Sequence, residues 1–254
     1  NMRIQTLYHT LESFKPLFTL YEQIAQESRP DLSPAAVREM VQAKVQIILL
    51  HDKYPQYPEP HPQKQRIDTY RAKNPQIELA WPEDPIHPSK FGSFANVYPR
   101  IRGEFLLNLD SDHQADLEEL AYLPFLLRVF DRHPACDAMG VRLYAFNEKY
   151  NAVTQLASLS SNAWWIYDLR VKSLVGGGGV YGKMLVRTKA VLDKELIQPD
   201  SVAEDMLTMT RFSVFGSEVH FSEMVEIGQG EDISYYGLRR KFGRYPAGAI
   251  ESSA

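Results

Sequence analysis

Glu104-Phe105-Leu106-Leu107-Asn108-Leu109-Asp110-Ser111-Asp112 is the stretch from which the fold of this chain is best read. Phe105 to Leu109 is a short apolar run broken only by Asn108, the pattern of a strand enclosed in a sheet. It passes straight into two carboxylates spaced i, i+2. Just past a strand such residues can point the same way, and paired hard oxygen donors suit Mg2+ or Mn2+ carrying a diphosphate. An isolated Asp-x-Asp is also a common solvated turn, in which Asp110, Ser111 or Asp112 bonds nearby backbone. The strand ahead of the pair is what favours a ligand site.

Outward from this stretch, β-rich runs alternate with helical ones over most of the 254 residues. That alternation predicts an α/β protein with an open, mostly parallel, Rossmann-like sheet flanked by helices. Arg3 to Tyr8 reads as a first strand, and Phe14 to Gln26 and Pro34 to Ala43 as helices, the second capped by Ser33 ahead of Pro34. Val45 to Leu50 reads as a strand buried on both faces, ending in His51-Asp52. Pro55, Pro58, Pro60 and Pro62 mark a loop. Gln63 to Lys73 is expected to be a helix, Ile77 to Trp81 a strand and Ser89 to Arg100 a helix. After the acidic pair come a helix at Leu117 to Arg132, a strand at Ala138 to Phe146 and a partly helical region reaching Leu169. The Gly-rich segment Val175 to Gly182 follows, then a helix at Val202 to Phe212, a strand at Glu218 to Val225 and a helix at Ile233 to Lys241. With neither an internal repeat nor a linker, one domain spanning residues 1–254 is expected.

The composition narrows the function classes. Lys and Arg total 28 against 32 for Asp and Glu, so there is no basic excess to hold a long phosphate backbone, and nucleic acid is not expected as a partner. The single cysteine, Cys136, excludes an internal disulfide and a Cys-rich zinc site, and fits a reducing compartment. The apolar runs Val45 to Leu50 and Leu120 to Leu127 fall well short of the ~20 residues a bilayer span requires. A soluble, cytoplasmic chain is expected; no signal pattern is visible, and Asn1 ahead of Met2 reads as a vector remnant.

Open parallel sheets bind ligands outside the carboxyl ends of their strands, so Asp52 and the Asp110/Asp112 pair are expected on one rim. Glu204-Asp205 opens, or lies early in, a helix whose apolar residues are Met206, Leu207, Met209 and Phe212. Acids in a first turn often only complement the helix dipole, but beside a metal-bound leaving group one could deprotonate a hydroxyl. Gly177, Gly182 and Lys183 satisfy G-x-x-x-x-G-K, with Met184 where a Ser or Thr belongs, and Gly177, Gly179 and Gly182 satisfy G-x-G-x-x-G. Four successive glycines meet such patterns easily, and a close-packed backbone turn accounts for them as well. Leu238 to Arg244 gathers four cations around Phe242, which is either a solvated helix end or a diphosphate clamp. His51, His113 and His220 could serve as metal or base residues but read as structural, and Trp164, Trp165 and Tyr167 read as core or rim packing ahead of a sugar platform.

The order of these motifs, over nearly the whole chain, resembles that of the family 2 inverting glycosyltransferases of the GT-A fold, including the catalytic modules of cellulose and related polysaccharide synthases. Asp52 sits where that family has the strand-end Asp that contacts the nucleotide base. Ser89 to Asn96 is similar to its Gly-Lys-Ala-x-Ala-Leu-Asn segment, one residue longer between Lys90 and Asn96, and Lys90 would face the donor. Glu104 to Asp112 resembles its strand and DxD motif. Gly182 to Leu192 resembles the segment of glycine, apolar strand, Arg-Arg and Ala-Leu, which assigns Gly182 to the acceptor side. Glu204-Asp205 matches the Glu-Asp motif. Leu238-Arg239-Arg240-Lys241-Phe242 is similar to Gln-Arg-x-Arg-Trp, with Leu238, Lys241 and Phe242 departing from it.

The resemblance implies a metal-dependent inverting transferase that moves a sugar from a nucleoside-diphosphate sugar, a UDP-sugar foremost, to an acceptor hydroxyl. Asp205 would be the catalytic base, and Asp110 and Asp112 would hold Mg2+ or Mn2+. Asp52, Lys90, Asp110, Arg239 and Lys241 would bind the donor, and Glu204, Phe242 and Gly182 the acceptor. Residues 1–112 would form the nucleotide-sugar half, and residues 113–254 the acceptor and catalytic half. The implied partners are a nucleotide-sugar and a glycan, lipid-linked or small-molecule acceptor, with peripheral association at the inner face of the cell membrane. Two other readings stay open: an NTP-binding or nucleotidyl-transferring protein using Gly177 to Lys183, and a non-catalytic relative that binds glycan.

Overall fold

The computed structural model describes residues 2–50, 64–74, 77–80, 97–110, 113–115, 121–163, 167, 169–174, 184–193, 204–231 and 233–239. Helix α1 spans Met2–Ser28, so the strand expected at Arg3 to Tyr8 is instead the start of a helix. Leu7, Leu11, Phe14, Leu17, Tyr21 and Ile24 recur at steps of three and four along it, the period of a helical stripe. A window of a few residues is too short to separate that period from alternation. Helix α2, Pro34–Lys44, starts as the sequence predicts: the Ser33 hydroxyl accepts the Ala36 amide at 3.3 Å, and Pro34 fills the first turn, where no amide partner is needed. Val37 and Val41, one turn apart, are its buried residues.

Strands β1, Ile47–Leu50, and β2, Ile77–Ala80, pair in parallel with helix α3, Lys64–Lys73, between them in the chain. Ile47 and Ile48 are half-buried rather than enclosed on both faces. The reason is that β1 and β2 form a sheet of two strands among the described residues. The Gln46 amide ties the start of β1 to the residues that lead into the strand at Phe105–Leu107: it donates to the Arg100 carbonyl and accepts the Arg102 amide, each at 2.9 Å.

The larger sheet comprises β3, Phe105–Leu107; β4, Gln114–Ala115; β5, Cys136–Ala145; β6, Met184–Arg187; and β7, Glu218–Gln229, in the order β3-β6-β5-β7-β4. It is mixed. β5 and β7 are parallel, whereas β3/β6, β5/β6 and β4/β7 are antiparallel. The expected parallel character therefore holds for β1/β2 and β5/β7 alone among the described pairings. An apolar run such as Met184 to Val186 reports burial but not direction, which is why the reversal of β6 leaves no mark on the sequence pattern.

Helix α4, Leu123–Arg132, begins later than the expected Leu117 among the described residues; a turn at Ala121 and Tyr122 precedes it, and Pro124 sits in its first turn. The expected helix at Ser89 to Arg100 is described only at its end, as a 3-10 turn at Tyr98–Arg100. The region up to Leu169 contains a 3-10 turn at Glu148–Tyr150 and helix α5, Ala152–Ala163. Short helices α6, Arg170–Ser173, and α7, Thr188–Asp193, flank the glycine run and β6, and α8 spans Glu204–Val214. Helix α8 stops at Gly216, whose φ of 67° is the left-handed conformation that an L side chain resists. The last helical turn covers 235–239. The proline loop and the glycine run lie outside the described residues. No described helix is long and apolar enough to cross a membrane.

The sheet carries apolar residues on both faces, as its period of two requires. Met139, Val141, Leu143, Leu185 and Ile227 join Leu17 of α1 and Leu126 and Phe130 of α4 on one side. Ala138, Met184, Val186 and Val219 join Tyr98, Val191 and Phe212 on the other.

One cation is lodged among these groups. The Arg187 guanidinium lies 5.6 Å from the Phe105 ring centroid and 5.1 Å from that of Phe130. It donates to the carbonyls of Phe130 and Cys136, and Glu104 stands 3.8 Å away. The next residue continues the join: the Thr188 amide and hydroxyl donate to the carbonyls of Glu104 at 2.9 Å and Gly103 at 2.7 Å. β3, β6, the end of α4 and the start of β5 thus meet around a single side chain. Arg187→Met leaves two carbonyls without their charged donor and should lower the unfolding free energy by about 2–4 kcal/mol, read as a lower urea midpoint at unchanged slope.

Cys136, fully buried at the start of β5, has its thiol pushed up to about 11, chiefly by burial. The fold therefore favours the protonated thiol. The stability this contributes is complete below the ordinary thiol range and is lost as pH rises toward 11. The native protein should react slowly with a disulfide reagent at about pH 8 and rapidly once unfolded. Its stability should fall between about pH 8 and pH 10.5, with a smaller fall in Cys136→Ala.

Candidate functional site

β3, β5 and β7 run one way and β4 and β6 the other, so the carboxyl ends of the first three and the amino ends of the last two share one edge of the sheet. Asp110 leaves β3 at that edge. Two residues earlier the Asn108 amide donates to the carbonyl of Met184, the first residue of β6, at 3.2 Å. The chain that follows Gly182 and Lys183 is thereby bound to the approach to the acidic pair.

The turn after Asp110 is closed by His113. The Asp110 amide donates to His113 Nδ1 at 2.9 Å, and the His113 amide donates back to the Asp110 carbonyl at 3.1 Å. An Nδ1 that accepts carries no proton, so the neutral imidazole holds its proton on Nε2. That atom lies 3.9 Å from Asp110 Oδ2; the imidazole is 1% exposed and the carboxylate 32%. His113 leads directly into β4, where Gln114 pairs with Gly228 of β7. Asp110 stands three residues past the end of β3, which stops at Leu107 rather than at the expected Leu109, and His113 bonds back to it.

A second polar cluster joins the carboxyl ends of β5 and β7. Asn147 Nδ2 donates to the Glu231 carbonyl, and the Glu231 amide donates to Asn147 Oδ1, both at 2.8 Å. The Glu231 carboxylate, in a residue 6% exposed, accepts the Ser161 hydroxyl of α5 at 2.9 Å. Asn151 Nδ2 donates to the Ile233 carbonyl at 2.9 Å. The segment leading to 235–239 is thus fastened to the β5 side of the sheet, Leu238 is buried, and Arg239 beside it is exposed. The sequence reading missed this cluster. Its signal is Asn147 and Asn151, four residues apart just past a strand; Asn151 Oδ1 accepts the Thr154 amide at 2.9 Å and so caps α5, while its amide group reaches the Ile233 carbonyl.

Of the expected site residues, Asp110 and Arg239 are described with their side chains. Glu204 and Asp205 open α8, with nothing described of their side chains. Asp52, Lys90, Asp112, Gly182, Lys241 and Phe242 lie outside the described residues. Among the described residues no group of three or more His, Cys, Asp or Glu side chains is placed to hold a metal ion. Asp110 by itself has the right chemistry for a hard divalent ion: a carboxylate, half-buried, at a strand end.

No protein-family model matches the sequence. A search of curated proteins finds no match. Solved structures are similar in fold at low sequence identity. The mannosyltransferase PcManGT from Pyrobaculum calidifontis, in complex with GDP-Man and Mn2+, is 13% identical with a TM-score of 0.55, over 82% of this chain and 53% of the other. S. aureus TarS, in complex with UDP-GlcNAc, is 14% identical with a TM-score of 0.52, over 78% and 52%. Glucosyl-3-phosphoglycerate synthase from Mycobacterium tuberculosis, in complex with Mn2+, UDP and phosphoglyceric acid, is 12% identical with a TM-score of 0.51, over 82% and 67%. The matched part spans about half the length of the TarS and PcManGT chains. The likeness is one of fold: this is an α/β chain of the GT-A type, a central sheet flanked by helices.

The Asn147 clasp supplies one prediction. Asn147→Ala removes the partner of both backbone groups of Glu231 and should cost about 1–3 kcal/mol. Amide exchange should accelerate at 231–238 more than in β6.

Proposed function

We propose that this chain transfers a glycosyl group from a nucleoside-diphosphate sugar, a UDP-sugar foremost, to an acceptor hydroxyl with inversion at the anomeric carbon. The observation that carries the reading is Asp110, set just past β3 between a hydrogen bond to β6 at Asn108 and the pairing of Gln114 with β7, at the edge of the sheet where β3, β5 and β7 end. The fold it occurs in is shared with enzymes solved with UDP-GlcNAc and with GDP-Man and Mn2+, which supports a nucleotide-sugar as the ligand.

In this reading Asp110 and Asp112 hold Mg2+ or Mn2+. The bound ion supplies compensation for the negative charge that develops on the departing diphosphate. Asp205, in the first turn of α8, takes the proton from the acceptor hydroxyl as its oxygen attacks opposite the leaving group. Asp52 contacts the base, Lys90, Arg239 and Lys241 the diphosphate side of the donor, and Glu204, Phe242 and Gly182 the acceptor. Residues 1–112 and 113–254 act as donor and acceptor halves of one domain. Most of the acceleration comes from positioning and from electrostatic relief of the leaving group.

A thermal-shift panel of UDP-sugars, GDP-mannose and ATP, each with and without Mn2+, is the direct test. A Mn2+-dependent upward shift with a UDP-sugar is expected. Asp205→Asn should keep that shift and lose transfer by about a hundredfold or more. Near-normal transfer in this variant removes Asp205 from the role. A shift with ATP alone, abolished by Lys183→Ala, overturns the reading in favour of nucleotide binding at the glycine run.

A further inference from the structure

Between β3 and β4 the described residues are fastened at three points, at Asn108, at Gln114 and between Asp110 and His113. Upstream, the Asn108 amide is bonded to Met184 at the start of β6. Downstream, Gln114 is in register with Gly228 of β7. Between them, Asp110 and His113 exchange hydrogen bonds, the Asp110 amide to His113 Nδ1 at 2.9 Å and the His113 amide to the Asp110 carbonyl at 3.1 Å. The imidazole that makes the first of these is 1% exposed. Enclosed in this way, the ring presents its Nδ1 as an acceptor to the Asp110 amide where a solvated turn would present water.

We infer that His113 is a positioning residue for the divalent cation: its Nδ1 holds the backbone of Asp110, a residue proposed to bind the ion, in one arrangement before any ion arrives. The inference rests on the metal-dependent reading of this site. Its physical content is preorganisation. A turn already ordered by folding loses little conformational freedom on binding an ion, whereas a loose one must be ordered at that moment, and affinity falls accordingly. Loss of a partner that orients ligands in this way typically costs about 10- to 100-fold in metal affinity. Phenylalanine at 113 would fill the space without the acceptor. Asparagine would return an acceptor at nearly the position of Nδ1, and glutamine would place one too far along the side chain.

The experiment uses the full chain without donor or acceptor. Free Mn2+ is followed by electron paramagnetic resonance during titration, with circular dichroism and Tm recorded for every variant. The wild type is expected to bind Mn2+, His113→Phe to bind about tenfold or more weakly, and His113→Asn to recover most of the difference, unlike His113→Gln. Equal Mn2+ affinity in folded His113→Phe overturns the inference, as does equal behaviour of the Asn and Gln variants. If His113→Phe does not fold, the Asn and Gln pair decides. Nitrogen-15 NMR of the wild-type imidazole tests the hydrogen bond independently of any ion: an unprotonated Nδ1 with a proton on Nε2 is expected, and a protonated Nδ1 overturns the inference by itself. An intact Nδ1 acceptor in a wild-type chain that binds no Mn2+ instead places the failure in the metal reading, and a cation role for His113 falls with it.

Discussion

The guanidinium of Arg187 is the interaction on which the larger sheet depends. A charged group in an apolar setting is tolerated only when its hydrogens are satisfied and its charge has something to act on. Here two aromatic faces, two carbonyls and the nearby Glu104 meet those needs together. The benefit reaches beyond one residue. Phe105 belongs to β3, Phe130 to α4, Cys136 to β5 and Arg187 to β6, so the contact sets where three strands lie relative to one another. The direction in which β3 leaves the sheet, and with it the place of Asp110, follows from that.

Much of this was legible in the residues. The Ser33-Pro34 start of α2, the strand before Asp110 and the apolar residues of α8 are local patterns, and local patterns need no partner to be read. The misreadings share a cause. Arg3 to Tyr8 was too short a window for its period to show, the reversal of β6 depends on which neighbour it meets, and the two-residue β4 exists only because β7 lies beside it. The candidate site follows the same division. Asp110 at a strand end could be found from the chain, but the partner of its amide could not, because His113 is one more polar residue in a polar turn until its burial is known. The Asn147 and Glu231 clasp joins residues far apart in sequence, and nothing in either stretch points to the other.

The two polar clusters at the edge of the sheet are built differently, and the difference suits what each holds. His113 acts within a span of four residues and fixes backbone against ring. Asn147 reaches across the chain and fixes one strand exit to another, with Ser161 securing the carboxylate of Glu231. The first rigidifies a turn, and the second aims a segment. An exposed Arg239 next to a buried Leu238 is the outcome of the second: the backbone is anchored while the cation stays in water, where desolvating it costs nothing until a ligand arrives.

The fastening of the chain around Asp110 to β6 and β7 also has a bearing on synthesis at the ribosome. Its fastenings, at Met184 and Gly228, are encoded long after Asp110, so contacts of high sequence separation must close before the turn takes shape. Chain growth at roughly 5–20 residues per second leaves a nascent polypeptide with β3 emerged and unclasped for several seconds. During that interval the negative charges at its tip, which oppose edge-to-edge association, guard an apolar strand that has yet to meet its neighbours.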